Sequence, residues 1–443
     1  MSADKACLRC QKQKRRCDKI RPHCTLCKRL NKRCAYQLPT EAPRLLPVPD
    51  WGDLNPINLN YTLELQVFSI VGDGLQLREA ASLYFRTVHT WFPVVSEERY
   101  YAQLASVRVK TDPTPSDFSL LTLCMALVCK EPIAGDVPGS ARSLYVSIKS
   151  FVSILEAMGT NSLKIVQSRI LLTIFEIGHA INPSAYISAA ANVRAAMSLG
   201  LDSFTKDVGS QKYEEAQNVW RAVMIVDSYV SLENGQAPFT LRGQQSVNQE
   251  TEDSDLANVE PSAFMKLARA SQLLDQVLIH VYATSLNDRS NGVEGVEILK
   301  SLTSFMTTFQ NGQLNPHPLS DSALAISRSA MLETLELGSR TETPGDFHCI
   351  YTSVNILKSL VREVGLGGEV SPPDETAALS VFLPHFLFKA AMVCLSDTRV
   401  SGRADPEPLL QPMRGLLNNL EKRWVAATRY LEIIEKAHGA PLV

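Results

Sequence analysis

The sequence lacks long uninterrupted apolar runs. Its most apolar stretch, residues 377–395, is broken by Pro384 and Lys389, whereas a membrane-spanning helix needs about 20 consecutive apolar residues. The first ten residues, MSADKACLRC, are charged and contain no apolar core, so they do not predict a secretory signal peptide. Both absences favour a soluble intracellular chain, in which cysteines stay reduced.

The common signatures of catalytic and nucleotide-binding sites are also missing: there is no P-loop, G-x-G-x-x-G, H-E-x-x-H or G-x-S-x-G. His89, His179 and His385 are scattered and are interpreted as core or surface histidines. Asp227 is interpreted as a hydrogen-bonded structural carboxylate, because a buried charge needs partners. We predict that the chain is not an enzyme; an active site in its later residues is the less favoured alternative. The apolar surroundings of four cysteines predict core thiols: Cys124, Cys129, Cys349 and Cys394.

The other six cysteines are concentrated in one short segment, ACLRCQKQKRRCDKIRPHCTLCKRLNKRC, residues 6–34. They form two triplets with identical C-x2-C-x6-C spacing, seventeen residues apart. In a reduced compartment, such a density of cysteine indicates metal binding rather than disulfides. The predicted metal ligands are Cys7, Cys10, Cys17, Cys24, Cys27 and Cys34.

Two zinc ions fit this repeat better than one. Each tetrahedral zinc needs four ligands, and six cysteines supply two ions only if two of them bridge both metals. The symmetry of the repeat selects the first members, Cys7 and Cys24, so each zinc is predicted to take one triplet plus the first cysteine of the other. His23 is interpreted as a solvated loop residue. The alternatives are a purely structural zinc knuckle, or one metal with two spare thiols.

Positive charge is concentrated in the same segment. Residues 1–37 contain twelve Lys or Arg and two Asp, a balance of +10, so the remaining 406 residues carry −12 of the total of −2. Six thiolates and two Zn²⁺ ions leave the segment near +8, a charge density suited to neutralising phosphates. A nuclear import signal or a solvated face would use the same residues. A protein that merely buffers metal has no need for these interleaved basic residues.

This segment resembles the fungal Zn(2)-Cys(6) binuclear cluster transcription factors, which share the pattern C-x2-C-x6-C, a loop with proline, and C-x2-C-x6-C. The run KQKRR, the pair Cys17-Asp18 and Pro22 in the loop are similar as well. The resemblance implies a short helix between Cys10 and Cys17 that enters the DNA major groove, where Lys14 reads a CGG-like half-site. Arg15 and Arg16 are expected to meet phosphates. The candidate DNA-binding residues are Lys12, Lys14, Arg15, Arg16, Lys19 and Arg21.

Composition changes after the cysteine segment. Residues 38–60 are rich in proline and lack a periodic apolar face, which predicts a linker. From residue 61 to 443, apolar residues recur at helical spacing. No heptad pattern for a coiled coil follows the linker. The predicted fold class is therefore all-α, with a zinc cluster domain over residues 1–37, a linker over 38–60 and a large helical regulatory domain over 61–443.

Three stretches of the helical part, residues 83–104, 185–202 and 219–241, resemble the middle homology region of the same fungal regulators, and the resemblance is loose after about residue 245. It implies a nuclear, sequence-specific transcription factor of RNA polymerase II genes. The expected partners are double-stranded DNA, a second copy of the chain contacting through the helical domain, coactivators or the transcription machinery, and a small-molecule effector. Short members of this layout suggest a regulator of a biosynthetic gene cluster in secondary metabolism. A repressor or cofactor without activation function is the alternative.

Overall fold

The computed structural model describes residues 6–20, 23–30, 32, 34, 55–107, 113–203, 211–235, 240, 262–287, 292–311, 321–341, 349, 351–353, 355–359, 379–401 and 406–439. Within these residues the chain forms helices and no β-strand, which confirms the all-α prediction. None of the described helices combines the length and the apolar composition that a membrane crossing requires.

The described helices, numbered in chain order, are α1 Leu8–Lys12, α2 Thr25–Arg29, α3 Pro56–Ile70, α4 Gly74–Arg86, α5 Val88–Trp91, α6 Glu97–Val107, α7 Ser116–Val128, α8 Gly139–Ala157, α9 Leu163–Gly178, α10 Ser184–Met197, α11 Gln211–Glu233, α12 Ala263–Asn287, α13 Gly292–Asn311, α14 Ser322–Thr341, α15 Leu383–Ser401, α16 Glu407–Leu420 and α17 Val425–His438. Contacts divide the chain into two compact units, Met1–Asn58 and Leu59–Val443.

The helical body begins earlier than the sequence suggested. Helix α3 starts at Pro56, inside the range predicted as linker. Proline suits the first position of a helix, since the amide that it lacks would have no partner within the helix there. The side chain of Asn55 accepts a hydrogen bond from the Asn58 N–H at 2.8 Å, which satisfies another amide of the first turn. Residues 38–54 of the predicted linker lie outside the described residues.

Helix α9 lies at the centre of the body. It packs against α7, α8, α10, α11 and α17. Every residue from Ile165 to Gly178 is buried. Helical spacing of apolar residues alone would bury one stripe of this helix, but the polar side chains of α9 are buried too.

Hydrogen bonds with neighbouring segments make this burial of polar groups possible. Gln167 donates to the carbonyl of Val94 at 2.7 Å. Glu176 accepts from the ammonium of Lys149 and from the hydroxyl of Tyr145, both at 2.8 Å. A buried polar group with such partners avoids most of the cost of leaving water.

The C-terminal helices are anchored to this centre by two adjacent residues. Trp424 is fully buried and packs so closely on Gly178 of α9 that a Cβ there would overlap the indole ring. Its Nε1–H donates to the carbonyl of Leu379 at 3.0 Å. Arg423, 2% exposed, donates to the carbonyl of Val128 at 2.7 Å, at the C-terminus of α7. A cation at this end of a helix is favoured by the helix dipole.

Candidate metal centre and nucleic-acid interface

The two cysteine triplets form two similar pieces of backbone. Each begins with a cysteine in an extended conformation, Cys7 with φ −60° and ψ 149° and Cys24 with φ −67° and ψ 149°, and a five-residue helix follows. The sulfur of each accepts a hydrogen bond from the N–H three residues later, at 3.5 Å from Cys10 and 3.4 Å from Cys27. Sulfur therefore caps both helices, in the place where an oxygen usually does.

In each triplet, the sulfur of the third cysteine contacts the backbone of the first. The N–H of Cys7 donates to the sulfur of Cys17 at 3.5 Å, and the N–H of Cys24 donates to the sulfur of Cys34 at 3.3 Å. The repeat seen in the sequence is thus a repeat of backbone geometry as well. Because the first cysteine of each triplet contacts both other members, it occupies the central position.

Sulfur atoms of the two triplets lie in direct contact. The Sγ atom of Cys7 is 3.8 Å from that of Cys24 and 3.7 Å from that of Cys27, and the Sγ atom of Cys10 is 3.8 Å from that of Cys24. Two groups of four cysteines have all their sulfur atoms within 4.8 Å of one another. They are Cys7, Cys10, Cys17 and Cys24, and Cys7, Cys24, Cys27 and Cys34.

These two groups are the ligand sets that the symmetry of the repeat predicts, and Cys7 and Cys24 belong to both. His23 is exposed and belongs to neither. Four thiolates in one group of this size match the donor set of a closed tetrahedral zinc site. The residues present therefore fit two zinc ions.

The thiols of the cluster do not ionise alike in the absence of metal. Burial disfavours the Cys7 thiolate, but hydrogen bonds from Cys10 and other cysteines outweigh burial and lower the pKa of Cys7 to about 6. Burial raises the pKa of Cys27 to about 12. Six thiolates this close repel one another, so all of them become charged only when cations lie among them. Two Zn²⁺ ions supply that positive charge.

The candidate DNA-binding side chains follow Cys10 and flank Cys17 in the sequence. All five that the structure describes are exposed: Lys12, Lys14, Arg15, Arg16 and Lys19. The sixth, Arg21, lies outside the described residues. A high density of exposed cations on a small domain suits contacts with phosphates.

The first helix differs from the expectation that the family resemblance raised. Helix α1 includes Cys10 and ends at Lys12, so it covers only the first two residues between Cys10 and Cys17. Lys14 lies two residues beyond it, in the left-handed region with φ 50°. The N–H of Arg15 bonds to the carbonyl of Cys10 at 2.9 Å, and the N–H of Lys14 bonds to that of Gln11 at 3.1 Å. These two bonds form a Schellman motif, which ends the helix.

Asp18 connects the two halves of the cluster segment, a role that its sequence pattern alone did not predict. Its carboxylate accepts the N–H of Thr25, the first residue of α2, at 3.0 Å, and the N–H of Ile20 at 3.5 Å. Hydrogen bonds from Thr25 hold the pKa of Asp18 below its usual range. Asp18 therefore ties the loop after the first triplet to the helix of the second. Ala35 stands at the equivalent place in the repeat, seventeen residues later, and this asymmetry was the available signal.

The candidate catalytic groups of the body are not brought together. His179 and His385 are buried on different helical segments, and burial lowers the pKa of each to about 3. The carboxylate of Asp227 accepts the N–H of Thr240 at 2.8 Å, as expected of a structural carboxylate. Among the described residues, the only groups of His, Cys, Asp or Glu close enough to hold a metal are the two cysteine groups.

Comparison with known proteins places the chain in a family. Residues 5–43 match the fungal Zn(2)-Cys(6) binuclear cluster domain, and residues 81–327 match the fungal specific transcription factor domain. Together with the paired sulfur groups, these matches show that the chain belongs to the fungal Zn(2)-Cys(6) transcription factors. The resemblance inferred from the sequence is confirmed, and the second match extends well beyond residue 245.

One curated relative is similar to part of the chain. Transcription factor BOA15 of Botryotinia fuckeliana (strain B05.10) is 35% identical over 123 residues. The match covers 28% of this chain and 66% of the relative. Membership of the family also implies two zinc ions, as predicted from the cysteine count.

Proposed function

We propose that the chain is a sequence-specific DNA-binding transcription factor of RNA polymerase II genes that reads CGG-like half-sites. The observation that carries this proposal is the pair of four-cysteine groups sharing Cys7 and Cys24, with exposed lysines and arginines around them. Such a domain presents basic side chains at fixed positions, which sequence reading requires.

Within this proposal the six cysteines hold the metals. Cys7 and Cys24 bridge, and the remaining four bind one ion each. Zinc supplies structural bonds and no chemistry of its own at such a closed site. The helices α1 and α2 stay in place because the residues that cap them, Cys7 and Cys24, are both bridging ligands.

The basic residues divide into two roles. Lys14 donates to the O6 and N7 acceptors that guanine presents in the major groove. Its backbone is held by the bond from Lys14 N–H to the Gln11 carbonyl at 3.1 Å, so the side chain leaves the domain from a fixed point. Arg15 and Arg16 are proposed to contact phosphates, as are Lys12, Lys19 and Arg21.

The proposal has consequences beyond the cluster. The protein acts in the nucleus as a homodimer, because one cluster that reads about three base pairs cannot single out a genomic site. Its helical body, which begins at Pro56, is a regulatory domain that binds coactivators or a small-molecule effector and has no enzymatic activity. The layout of the chain favours a regulator of a biosynthetic gene cluster.

Selection from random duplexes tests the proposal. The full chain with zinc is incubated with a pool of random DNA, and the bound sequences are read. We expect enrichment of paired CGG-like triplets, which the Lys14→Ala variant loses. Lys28→Ala, which removes an exposed lysine from α2, is the matched control and should retain the enrichment. The absence of any enriched motif with the zinc-loaded chain would overturn the proposal.

A repressor without activation function is the second candidate. Fusion of residues 55–443 to an unrelated DNA-binding domain, upstream of a reporter gene, separates the two candidates. Rising expression indicates an activator, and falling expression indicates a repressor.

A further inference from the structure

Four helices of the body meet around a cavity of about 100 Å³ that is partly open to solvent. Its walls are formed by α6, α7, α9 and the beginning of α11. The lining combines buried apolar side chains with four charged ones, two of each sign. The charged residues are Arg99, Asp117, Lys164 and Glu215. We call this space the four-helix cavity.

Glu215 has its hydrogen-bond partners within the protein. Its side chain is 10% exposed and forms an ion pair with Arg99. Its carboxylate also accepts the N–H of Ser96 at 3.0 Å and the side-chain amide of Gln167 at 2.8 Å. The guanidinium of Arg99 carries five N–H groups, and among the described residues only one of its nitrogens has an acceptor. Glu215 therefore needs no further donor, while Arg99 retains N–H groups for a ligand.

Lys164 and Asp117 are incompletely paired. The ammonium of Lys164 is 4.0 Å from Oδ2 of Asp117, which is too far for a hydrogen bond, and the described residues contain no closer partner for it. Oδ2 of Asp117 accepts the hydroxyl of Ser162 at 3.0 Å, whereas Oδ1 has no donor among the described residues. Both charged side chains are partly buried, so each loses part of its contact with water. The cavity thus offers a cationic donor beside an anionic acceptor.

The remaining wall of the four-helix cavity is apolar. The rings of Tyr100 and Phe118 stack with their centroids 5.0 Å apart, and Leu121 lies in the same wall, only 2% exposed. The hydroxyl of Tyr100 already shares a hydrogen bond with that of Thr122 at 3.0 Å. This wall therefore suits a short aliphatic group and gives no partner to a further charge.

The volume limits the ligand to a small molecule. A cavity of about 150 Å³ holds benzene, which has roughly six non-hydrogen atoms. On that scale the four-helix cavity encloses about four such atoms, and its open side admits a few more. Pockets for drug-sized ligands measure about 300 Å³ or more. A peptide, a nucleotide or a polycyclic ligand is therefore too large for this cavity.

We propose that the four-helix cavity binds a small aliphatic amino acid. The carboxylate of the ligand bonds to Arg99 and Lys164, and its ammonium bonds to Oδ1 of Asp117. Its short side chain lies against Phe118 and Leu121. The four charged side chains of the cavity sum to zero, so a zwitterion leaves the charges balanced. A simple carboxylate would lie beside the like charge of Asp117, and a simple amine would lie beside two cations; both arrangements weaken binding.

The position of the cavity gives the ligand a regulatory role. The ligand contacts helices that are far apart in the sequence, so it favours the arrangement of the body in which these contacts form. Because the body is a regulatory domain under the proposed function, the amino acid acts as its effector. This role rests on the proposed function, whereas the binding itself does not.

Isothermal titration calorimetry of the zinc-loaded full chain, without DNA, tests the binding. The probes are glycine, L-alanine, L-2-aminobutyrate and L-valine. The tightest probe is compared with its analogues that lack the amino group or the carboxylate, which for L-2-aminobutyrate are butyrate and 1-aminopropane. We expect the amino acid to bind about tenfold or more tightly than either analogue.

Two results of these titrations would overturn the proposal. One is the absence of binding by all four amino acids at concentrations on the order of 10 mM. The other is an analogue without the amino group that binds as tightly as the amino acid itself, since the ligand would then be a simple carboxylate.

Two variants of similar shape separate the charges of the site. Asp117→Asn keeps an acceptor for Ser162 but loses the negative charge. It should weaken amino-acid binding about tenfold, while the analogue without the amino group binds at least as well as to the wild type. Lys164→Gln should weaken both ligands about tenfold. Misfolding would weaken both ligands in both variants. Equal amino-acid binding by the wild type and both variants would overturn the proposal.

The matched controls are Asp136→Asn and Lys300→Gln. Asp136 forms an ion pair with Arg142 and is 71% exposed. Lys300 forms one with Glu297 and is 67% exposed. Neither residue lines the four-helix cavity. Both variants should bind the amino acid like the wild type. Losses equal to those of the cavity variants would overturn the proposal, because long-range charge would then determine binding.

The DNA selection described above distinguishes this proposal from the proposed function. Amino-acid binding that depends on Asp117 and Lys164, in a chain that enriches no DNA motif, would contradict the proposed function alone. An enriched motif in a chain that binds none of the four amino acids would contradict the cavity site alone. Amino-acid binding that changes neither the affinity for selected duplexes nor the expression of a reporter gene behind them would contradict the effector role.

Discussion

The zinc cluster and the helical body differ in what they bury. Within the described part of the cluster, five cysteines are buried, and Cys17 and Leu26 pack partly buried against them. The body buries one continuous apolar cluster that runs from Leu59 to Ile434. A segment of about 30 residues is too small to fold on apolar burial alone. Its stability therefore depends on metal bonds, whereas that of the body does not.

Removal of zinc should have the largest effect of the changes that test this difference. Structural zinc sites contribute about 10 kcal/mol or more at neutral pH, and domains built on them unfold without metal. We expect a strong chelator to release two zinc ions per chain and to abolish DNA binding, while the thermal unfolding of the body stays unchanged. Elemental analysis and differential scanning calorimetry measure both effects. One zinc per chain would contradict the bridged arrangement.

Single cysteine variants test which cysteines bridge the two zinc ions. Cys24→Ser should be at least as damaging to zinc content as any other substitution in the cluster, because it removes a ligand from both ions. Cys349→Ser, in the body and partly buried, is the matched control and should retain two zinc ions. Zinc content that is insensitive to Cys24→Ser would place the bridge elsewhere.

Truncation of Trp424 tests whether the body can be destabilised while the zinc cluster stays intact. Trp424→Ala removes a fully buried side chain packed on Gly178 and its hydrogen bond to the Leu379 carbonyl. Replacing a large buried aromatic by alanine costs about 3 to 5 kcal/mol of unfolding free energy. Chemical denaturation should show this loss, and the zinc content should remain at two per chain. A simultaneous loss of zinc would mean that the two units do not fold independently.

The two regions also differ in how far the sequence predicts them. The cysteine repeat predicts the two sulfur groups because six ligands and two tetrahedral ions leave few arrangements. In the body, spacing identifies α9 but not its burial, because side chains such as Gln167 and Glu176 are accommodated only through partners far away in the chain. The left-handed Lys14 could not be foreseen either, since that position favours Gly or Asn.

Loss of base recognition by Lys14 should have a smaller effect on free energy, and this effect should be confined to the cluster. Lys14→Ala should weaken binding to the cognate site by roughly 1 to 3 kcal/mol and leave binding to scrambled DNA almost unchanged. Arg16→Ala should weaken both and reduce the slope of log K against log salt by about one unit. Titrations of both duplexes at several salt concentrations measure these quantities. Equal losses on the two duplexes for Lys14→Ala would show that Lys14 contacts phosphate only.

The smallest predicted effect concerns the backbone of Lys14, and it separates folding from function at one residue. A residue with a Cβ in the left-handed region costs roughly 1 kcal/mol, which glycine avoids. At φ 50°, Lys14→Gly should therefore stabilise the zinc-loaded cluster by up to about 1 kcal/mol, whereas Lys14→Ala should not.

Both variants should lose affinity for the cognate site to a similar extent, because both lack the ammonium group. Competition with a chromophoric chelator measures the stability of the zinc-loaded domain, and the DNA titration measures the affinity for cognate and scrambled duplexes. A Lys14→Gly cluster that is more stable and yet less specific would show that Lys14 contributes to DNA recognition and lowers the stability of the domain. A cluster weakened by glycine as much as by alanine would instead make the Lys14 side chain a structural element of the domain.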